Sequence, residues 1–383
     1  MNGPVPQVAQ AWLPVYAQMP LVAVSGHGSW LVDEQGHEWL DAYGGHAVAS
    51  TGHCHPAVVQ AIQEQAAKLI FYSTAVPHRL REELAERIAE RCPGDLAKVF
   101  FCNSGAEANE NALGLARKVT GRQAIVSVEG GWHGRTAACL AVTDGAKYEA
   151  GARRAGLPLS VKVPFNDVAA MDRAVDDSVA AVIVEPVQGM TGARDCSADF
   201  LGAARRACDR AGAALIFDEI QCGVGRSGAF TAAEVYGVTP DILTLAKGLA
   251  SGVPIGAMVA TTAIASGLVI GDLGSTFGGG PIACAAGIAT LAVIDREHLY
   301  RNVQTVSGRI RSWAGARVPV QGLGLLLGLR LPKPAAEVQR ALFEHRVLTG
   351  TSADPAVLRL LPPLCFSSAD ADLLVNRLDK VLA

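Results

Sequence analysis

The sequence lacks long apolar runs and blocks of like charge, and only 5% of its residues are aromatic. Gly, Pro, Asp or Glu interrupts each apolar stretch before it reaches the length of a membrane-spanning helix. The formal net charge is −3, and no cluster of acidic or basic residues stands out, so neither a nucleic-acid nor a membrane partner is expected. The first residues show no basic start followed by an apolar stretch, so no secretory signal is expected.

The nine cysteines contain no C-x-x-C pair, and they are odd in number and scattered along the chain. Such a set is typical of reduced thiols in a cytoplasmic protein, most of them small core residues. The local cluster His53-Cys54-His55 has no second pair of ligands nearby at metal-binding spacing, so we expect no metal site.

The middle of the chain alternates short apolar runs with stretches of helical spacing, such as 107–119 and 198–212. The strand-like runs are KVFFCN (98–103), AIVSV (124–128), AAVIVEP (180–186), ALIFDE (214–219), DILTLA (241–246) and PIGAMVA (254–260). Apolar strands with interposed helices predict an α/β fold whose mostly parallel sheet is covered on both faces.

The two ends of the chain predict a smaller α+β domain beside this sheet. The N-terminal part reads as a hairpin with its turn at 34–36, and the C-terminal part has a long helical stretch at 278–299 and one strand at 320–331. We therefore predict an N-terminal segment that joins the small domain (1–50), a large domain (51–285) and the C-terminal small domain (286–383).

Chemistry is expected in the loops after the strands, because open parallel sheets bind ligands at the carboxyl ends of their strands. These loops are rich in glycine, serine, asparagine and acids: NSGAEAN, EGGWHGRT, EPVQGM, DEIQCGVGRSG and AKGLASG. Between a strand and a helix, Ser104–Ala106 offers free backbone N–H groups for an anion, although a turn with a helix cap would look the same.

Two ionisable residues end apolar strands and therefore reach the same edge of the sheet. Lys247 would be partly desolvated there, which lowers its pKa and suits Schiff-base chemistry, whereas most lysines are solvated surface charges. Asp218 and Glu219 point to opposite faces of their strand, and a buried Asp218 needs a partner such as a protonated ring nitrogen, unless it caps the next turn. An anion site, an acid and a lysine together are the parts of a pyridoxal phosphate site.

With these residues in place, the sequence resembles the class III aminotransferases of pyridoxal phosphate (PLP) fold type I, and within them the acetylornithine aminotransferase group. The resemblance runs from about Gly28 to the C-terminus. It rests on eight ordered blocks: GHCHP (52–56), FFCNSGAEANE (100–110), WHGRT (132–136), EPVQG (185–189), FDEIQCGVGRSG (217–228), PDILTLAKGLASGVPIGA (240–257), GSTFGGGP (274–281) and LRLLPPL (358–364).

The resemblance implies a role for each matching residue. Lys247 would bond covalently to PLP and transfer the proton, and Asp218 would pair with the ring nitrogen. Gln221 would bind the ring hydroxyl, and Trp132 would stack on the ring. The implied cofactor-binding residues are Ser104, Gly105, Ala106, Trp132, Glu185, Asp218, Ile220, Gln221, Lys247 and, from the other subunit of a homodimer, Thr276. The implied substrate-binding residues are Arg135, Arg359 and Ser275, of which Ser275 would also cross the interface.

The implied reaction moves the ω-amino group of acetylornithine to 2-oxoglutarate, giving a semialdehyde and glutamate. Carrier-linked lysine, ornithine, succinylornithine and 4-aminobutyrate are alternative donors within the same class. From a different class, Gly223, Gly225 and Gly228 fit the G-x-G-x-x-G of an NAD-dependent dehydrogenase, but residues 219–222 separate them from the strand and no clear helix follows. A non-enzymatic binding protein of this fold would lack the lysine, and Lys247 is present.

The sequence departs from the family pattern at several site positions. The departures are Trp132 for Phe, Ala106 for Thr, Met190 for Glu, His46 for an apolar residue, Gly280 for Asn and Gln321 for Arg. The usual Glu pairs with the carboxylate-binding arginine, and Met190 cannot pair with Arg359 in this way. The sequence leaves open how the site alternates between its two substrates and what His46 does.

Overall fold

The computed structural model describes residues 11, 13, 15–315 and 317–383. The strands, numbered along the chain, are β1 (Ala23–His27), β2 (Trp30–Asp33), β3 (Glu38–Asp41), β4 (Leu96–Cys102), β5 (Ala124–Val128), β6 (Val161–Val163), β7 (Val179–Val184), β8 (Val187–Gln188), β9 (Arg194–Asp195), β10 (Ala214–Asp218), β11 (Ile242–Leu245), β12 (Gly256–Thr261), β13 (Val320–Leu323), β14 (Leu326–Arg330), β15 (Val347–Leu348) and β16 (Val357–Leu360). The helices are α1 (Gly44–Ala47), α2 (Pro56–Lys68), α3 (Arg79–Ala89), α4 (Gly105–Thr120), α5 (Ala137–Val142), α6 (Ala146–Arg154), α7 (Val168–Ala174), α8 (Ala198–Ala211), α9 (Ala232–Tyr236), α10 (Thr262–Ala265), α11 (Pro281–Arg296), α12 (Leu299–Ala314), α13 (Ala335–Glu344) and α14 (Ser368–Leu382), with a 3₁₀ turn at Lys247–Ala250.

The main sheet has the strand order β4-β12-β11-β10-β7-β5-β6. Strand β12 runs antiparallel to both of its neighbours, and the other pairs are parallel. The α/β fold with a mostly parallel mixed sheet is therefore confirmed, as are its strands at the predicted runs. The edge strand β6 was not predicted, because VKV is too short to give an apolar run.

Helices cover both faces of this sheet, as the alternation along β7 shows. Ala181 and Ile183 belong to the same apolar cluster as Leu113 of α4, whereas Val182 and Val184 belong to the cluster that contains Phe200 of α8. All six residues of β7 are buried. A continuous apolar run is what a strand buried on both faces requires.

The N-terminal strands pair with a strand from the far end of the chain. Strands β2 and β3 form the predicted hairpin, and its turn contains Gly36 with φ of +80°. Strand β3 continues the same sheet by pairing in parallel with β15. The segments that precede and follow the main sheet are thus joined by backbone hydrogen bonds.

The single strand predicted over 320–331 is wrong, because the chain reverses within it. Strands β13 and β14 form an antiparallel hairpin that pairs Val320 with Leu329 and Leu323 with Leu326. Gly322 and Gly324 have φ of +100° and +57°, in the left-handed region that glycine tolerates. Leucines on both sides made the run look continuous, whereas the glycines allow the turn.

The predicted long helical stretch at 278–299 contains one helix, α11, which begins at Pro281 and ends at Arg296. His298, with φ of +52°, then separates it from α12. Among the described residues, no helix combines the length and the hydropathy needed to cross a bilayer.

Candidate active site

A cavity of about 640 Å³ opens at the carboxyl edge of the main sheet, where the loops after β4, β5, β7, β10 and β11 meet. Of the predicted site residues, those that line it are Ser104, Gly105, Ala106, Trp132, Arg135, Glu185, Asp218, Ile220, Gln221 and Lys247. The structure thus brings together side chains that are distant in sequence, as expected for the strand ends of a parallel sheet.

Asp218 is buried at the end of β10, and three donors hold its carboxylate. Its Oδ2 accepts hydrogen bonds from Asn109 Nδ2 at 2.7 Å and from His133 Nδ1 at 2.8 Å, and its Oδ1 accepts from Ile220 N at 3.1 Å. Thr244 Oγ1 donates to Asn109 Oδ1 at 2.7 Å, which fixes the orientation of that amide. The carboxylate therefore stays in one position with its charge balanced by donors.

Asn109 and His133 are residues that the sequence reasoning missed. Asn109 lies in the block FFCNSGAEANE and His133 in the block WHGRT, next to Trp132. His133 Nδ1 donates to Asp218, and its Nε2 is buried without a hydrogen-bond partner in the described part of the chain. The sequence contained a signal, because both residues are polar and lie in the motifs quoted above. Their shared partner, Asp218, could be identified only from the three-dimensional structure.

Glu219 points away from the cavity, as the strand alternation predicted. Its carboxylate accepts hydrogen bonds from Ala232 N at 2.5 Å and Ala233 N at 2.7 Å, at the beginning of α9. Complete burial raises the pKa of the Glu219 carboxyl to about 8. Glu219 is therefore tied to the backbone of the next helix and lies outside the cavity.

The glycines of the G-x-G-x-x-G match form turns between β10 and α9. Gly225 and Gly228 have φ of +91° and +96°, and α9 begins only at Ala232 after an N-cap at Thr231. A dinucleotide loop needs the glycines directly between the strand and the helix. The arrangement here does not provide that geometry.

Lys247 follows β11 in a left-handed backbone conformation, with φ of +41°. Burial lowers the pKa of its ammonium, and the negative charges of Asp218 and Glu185 partly oppose that shift. The loop that carries it packs closely on the N-terminal segment: a Cβ at Gly248 would lie 2.1 Å from Ser50 Oγ. The lysine is thus held by close backbone packing as well as by its strand.

The N-terminus of α4 lies where the anion site was predicted, and its anion binding stays a prediction. Helix α4 begins at Gly105, and the N-cap Ser104 accepts a hydrogen bond from Glu107 N at 3.2 Å. In the described residues, no hydrogen bond uses the N–H groups of Gly105 and Ala106. Two free amides at the positive end of a four-turn helix are suited to bind a phosphate.

Trp132 and Arg135 form one wall of the cavity. Trp132 N donates to Glu185 Oε1 at 2.6 Å, and burial raises the pKa of the Glu185 carboxyl to about 7. The indole meets the ring of Tyr148 edge to face at 4.8 Å, and the Arg135 guanidinium lies 5.3 Å from the indole centroid. Arg135 is exposed and held by a cation–π contact, so its donors remain available to an anion.

Arg359 does not line the cavity directly but reaches residues that do. It is 3% exposed, and its guanidinium donates to Thr351 O at 2.7 Å, Gly189 O at 3.1 Å and Tyr43 Oη at 2.9 Å. Met190 Sδ, 3.7 Å from Nη1, takes the place of a carboxylate, and Met190 itself lines the cavity. In the described chain, every hydrogen-bond partner of Arg359 is uncharged.

Tyr43 connects Arg359 to His46, which lies in the wall of the cavity. The distance from Tyr43 Oη to His46 Nδ1 is 2.8 Å. His46 has φ of +67°, and its carbonyl accepts a hydrogen bond from Gln221 Nε2 at 3.3 Å. The position of the Gln221 side chain requires a glycine at 189, because a Cβ at Gly189 would lie 1.6 Å from Gln221 Oε1.

Ser275 and Thr276 lie outside the cavity lining of their own chain. Ser275 Oγ accepts hydrogen bonds from Asn103 Nδ2 at 3.2 Å and Gly278 N at 3.1 Å, and Thr276 is exposed. Their contribution to a second subunit stays a prediction.

The histidines of the His53-Cys54-His55 cluster bind separate acids. His53 Nε2 lies 2.8 Å from Asp41 Oδ2, and His55 Nε2 lies 2.9 Å from Glu297 Oε1. Within the ranges that the structure describes, no three His, Cys, Asp or Glu side chains are grouped as metal ligands.

Known proteins share both this sequence and this fold. The family model "Aminotransferase class-III" matches residues 13–382. The acetylornithine aminotransferase of Methanocaldococcus jannaschii is 42% identical over 96% of this chain and 95% of that protein. The acetylornithine aminotransferase of Neisseria meningitidis serogroup A is 41% identical over 96% of each chain.

Solved structures agree with the sequence matches. The ornithine aminotransferase of Toxoplasma gondii superposes with a TM-score of 0.90 at 30% identity, covering 97% of this chain and 92% of that chain. Another structure of the same enzyme, with the same TM-score, identity and coverage, is described as having PLP at partial occupancy in its active site. The present chain belongs to the class III aminotransferase family.

Proposed function

We propose that this protein is a PLP-dependent transaminase that moves the ω-amino group of acetylornithine to 2-oxoglutarate. The observation that carries the proposal is the cavity itself, in which Lys247 and Asp218 face the free N-terminus of α4. The names of the most similar relatives support acetylornithine as the donor.

The residues of the cavity fit PLP in the chemistry of their donors. The amides of Gly105 and Ala106 would bind the phosphate, and the Asp218 carboxylate would accept a hydrogen bond from the protonated ring nitrogen and keep it protonated. The indole of Trp132 offers an aromatic face, and the second N–H of Gln221 is suited to the ring hydroxyl. Glu185 and Ile220 complete the walls around the ring. When bound, PLP supplies a ring that withdraws electrons from the substrate carbon.

Lys247 would hold and move the proton of the reaction. Its pKa is lowered by burial, so the neutral amine is more accessible near neutral pH than that of a surface lysine. A neutral amine can accept the proton from the substrate carbon and donate it again at a later step of the reaction. Asp218, fixed by its three donors, would keep a negative charge opposite.

The two arginines would bind the carboxylates of 2-oxoglutarate. Arg135 presents an exposed guanidinium on one side, and Arg359 lies behind Met190 on the other. A guanidinium binds a carboxylate through two parallel hydrogen bonds, which lysine cannot do. An acid with a carboxylate at each end would be held at both.

We also propose a homodimer in which Ser275 and Thr276 reach the partner's site. Near these residues the chain exposes large apolar side chains, among them Ile70 at 67% and Phe277 at 62% exposure, and Phe277 packs on Phe71 with ring centroids 5.0 Å apart. Contiguous exposed apolar surface marks an interaction site. Light scattering should give twice the chain mass, and Thr276→Ala should weaken PLP binding without changing that mass.

We place the protein in the cytoplasm. All nine cysteines lie in described residues and none is paired, and eight of them are wholly or partly buried. Unpaired thiols persist in a reducing compartment. Fractionation of cells that make the protein should recover it with cytoplasmic markers.

Reconstitution with PLP tests the transaminase assignment. The protein should turn yellow, borohydride should fix the cofactor to Lys247, and acetylornithine with 2-oxoglutarate should yield glutamate. Ornithine, succinylornithine, a carrier-linked lysine and 4-aminobutyrate, assayed in parallel, compare the alternative donors. Rapid turnover of alanine with none of the ω-amines would contradict the proposed donor class.

A further inference from the structure

The cavity has no free carboxylate for a second ammonium group of a substrate. Among the described residues that line it, the acids are Asp218 and Glu185. Asp218 is held by three donors, and Glu185 accepts hydrogen bonds from Trp132 N and Gly189 N, at 2.6 Å and 3.3 Å. Both acids are therefore already committed to the protein.

The same cavity is rich in positive charge. Arg135 lines it, and Arg359 lies behind Met190 with only uncharged partners among the described residues. A donor whose reacting amine approaches Lys247 would bring any second ammonium into this field. Buried like charges repel strongly when no counter-ion accompanies them. A free diamino acid adds a second ammonium next to these guanidinium groups, whereas an acylated nitrogen adds no charge.

The hydrogen bonds of Tyr43 determine which proton His46 carries. Tyr43 Oη accepts from Arg359 Nη2, so its own proton is left to donate to His46 Nδ1. Burial raises the pKa of Tyr43 and lowers that of His46, which keeps both groups neutral. A neutral histidine that accepts at Nδ1 must carry its proton on Nε2. In the described ranges, His46 Nε2 has no hydrogen-bond partner.

We propose that His46 is a specificity-determining residue that donates Nε2–H to the acyl oxygen of an amino donor whose non-reacting nitrogen is acylated. The inference rests on the proposed transaminase function and gives its donor a chemical class. Acylation removes the second positive charge and supplies the carbonyl acceptor that this neutral histidine requires. Acetyl, succinyl and carrier-linked donors share that chemistry, whereas ornithine does not.

A donor panel on the PLP-loaded protein tests the class. Single-turnover rates with acetylornithine, succinylornithine, ornithine and 4-aminobutyrate are measured as the cofactor absorbance changes. We expect kcat/KM to be at least tenfold higher for the acylated donors than for ornithine, as for a site built to hydrogen-bond a polar group. Equal rates for ornithine would overturn this inference while leaving the transaminase function intact. Failure of every ω-amine would instead overturn the function.

Two amide variants that differ by one methylene test the residue. In His46→Asn the amide reaches only the position of Nδ1, whereas in His46→Gln it reaches that of Nε2, so it can restore the donor. We expect His46→Asn to lower kcat/KM for acetylornithine about tenfold, mainly through KM, and His46→Gln to recover most of it. The half-reaction with 2-oxoglutarate should change by less than about twofold in both variants.

A structural role for His46 would give a different pattern. Asparagine tolerates the left-handed backbone at position 46 better than glutamine does, so a fold defect would harm His46→Gln more. Equal losses in both half-reactions, or a lower melting temperature that follows the loss in kcat/KM, would overturn the proposal. Tyr43→Phe, which frees the tautomer of His46, should reduce the preference for acetylornithine over ornithine.

Discussion

Asp218 and Arg359 are buried groups of opposite charge, and the protein surrounds them in different ways. Asp218 is held by a histidine, an asparagine and a backbone amide. Arg359 is held by two carbonyls, a phenol and a thioether. Three donors from the protein occupy the first charge, whereas in the described chain no carboxylate pairs with the second. The difference fits the proposed roles, in which the cofactor stays on the Asp218 side and the substrates bind and leave on the Arg359 side.

Lys247 lies between these two regions, and Lys247→Ala should have the largest effect. Asp218 raises the pKa of Lys247 and Arg359 lowers it, so both regions act on one amine. Removing the amine should reduce turnover by roughly 10³-fold or more. Steady-state assay of glutamate formation measures the loss.

The control for this variant is thermal unfolding of the cofactor-free protein, which should stay close to wild type. Normal turnover by Lys247→Ala would remove the basis of the mechanism.

Asp218→Asn should have the next largest effect, because it removes the permanent charge and keeps the shape. The new amide would also point an N–H group at Asn109 Nδ2 and His133 Nδ1, which are themselves donors and cannot accept it. We expect kcat to fall by roughly 10²-fold and PLP to bind more weakly. The matched control is Glu219→Gln, which changes the neighbouring acid outside the cavity and should leave kcat within about twofold of wild type. Equal losses in both variants would show that Asp218 acts only through stability.

Met190→Glu would give Arg359 a permanent ion-pair partner, just as Asp218 already has permanent hydrogen-bond donors. The methionine sulfur lies 3.7 Å from the guanidinium, so a carboxylate here would compete with the substrate anion. We expect KM for 2-oxoglutarate to rise about tenfold. Met190→Gln, of nearly the same size but uncharged, separates charge from volume and should change this KM by less than about threefold. An unchanged KM in Met190→Glu would mean that Arg359 does not meet the keto acid.

Glu219 is expected to affect stability without affecting turnover. Its folded pKa of about 8 lies above the ordinary value of 4.5, so the folded protein keeps a proton that the unfolded chain loses. This group therefore lowers the free energy of unfolding as the pH rises from about 4.5 to about 8, by up to ~1.4 kcal/mol per pH unit. Urea unfolding of the cofactor-free protein across this window should show a smaller decline for Glu219→Gln. Parallel curves for the two proteins would contradict the raised pKa.

The sequence predicted the Asp218 side of the site better than the Arg359 side. Lys247, Asp218 and the Ser104–Ala106 turn end or follow apolar strands, so a local pattern and one rule about parallel sheets bring them together. Arg359 was found through the resemblance, but its partner Tyr43 was not, because 316 positions separate them. Contacts of that kind depend on how the N-terminal hairpin pairs with β15, which no local pattern encodes.

The other errors and omissions have local as well as long-range causes. The hairpin of β13 and β14 looked like one strand, because glycines inside a leucine-rich run resemble strand residues until the chain is seen to reverse. His133 lay beside Trp132, and its partner Asp218 is 85 positions away. Edge strand β6 was too short to detect.

Gly189 has a consequence for redesign of the enzyme. Its N–H group binds Glu185, its carbonyl binds Arg359, and the space where a side chain would begin is filled by Gln221. One residue without a side chain therefore joins Glu185 in the cavity wall to Arg359. Libraries that alter donor preference should vary position 46 and keep position 189 invariant, because any substitution at 189 would disturb Glu185, Arg359 and Gln221 at once.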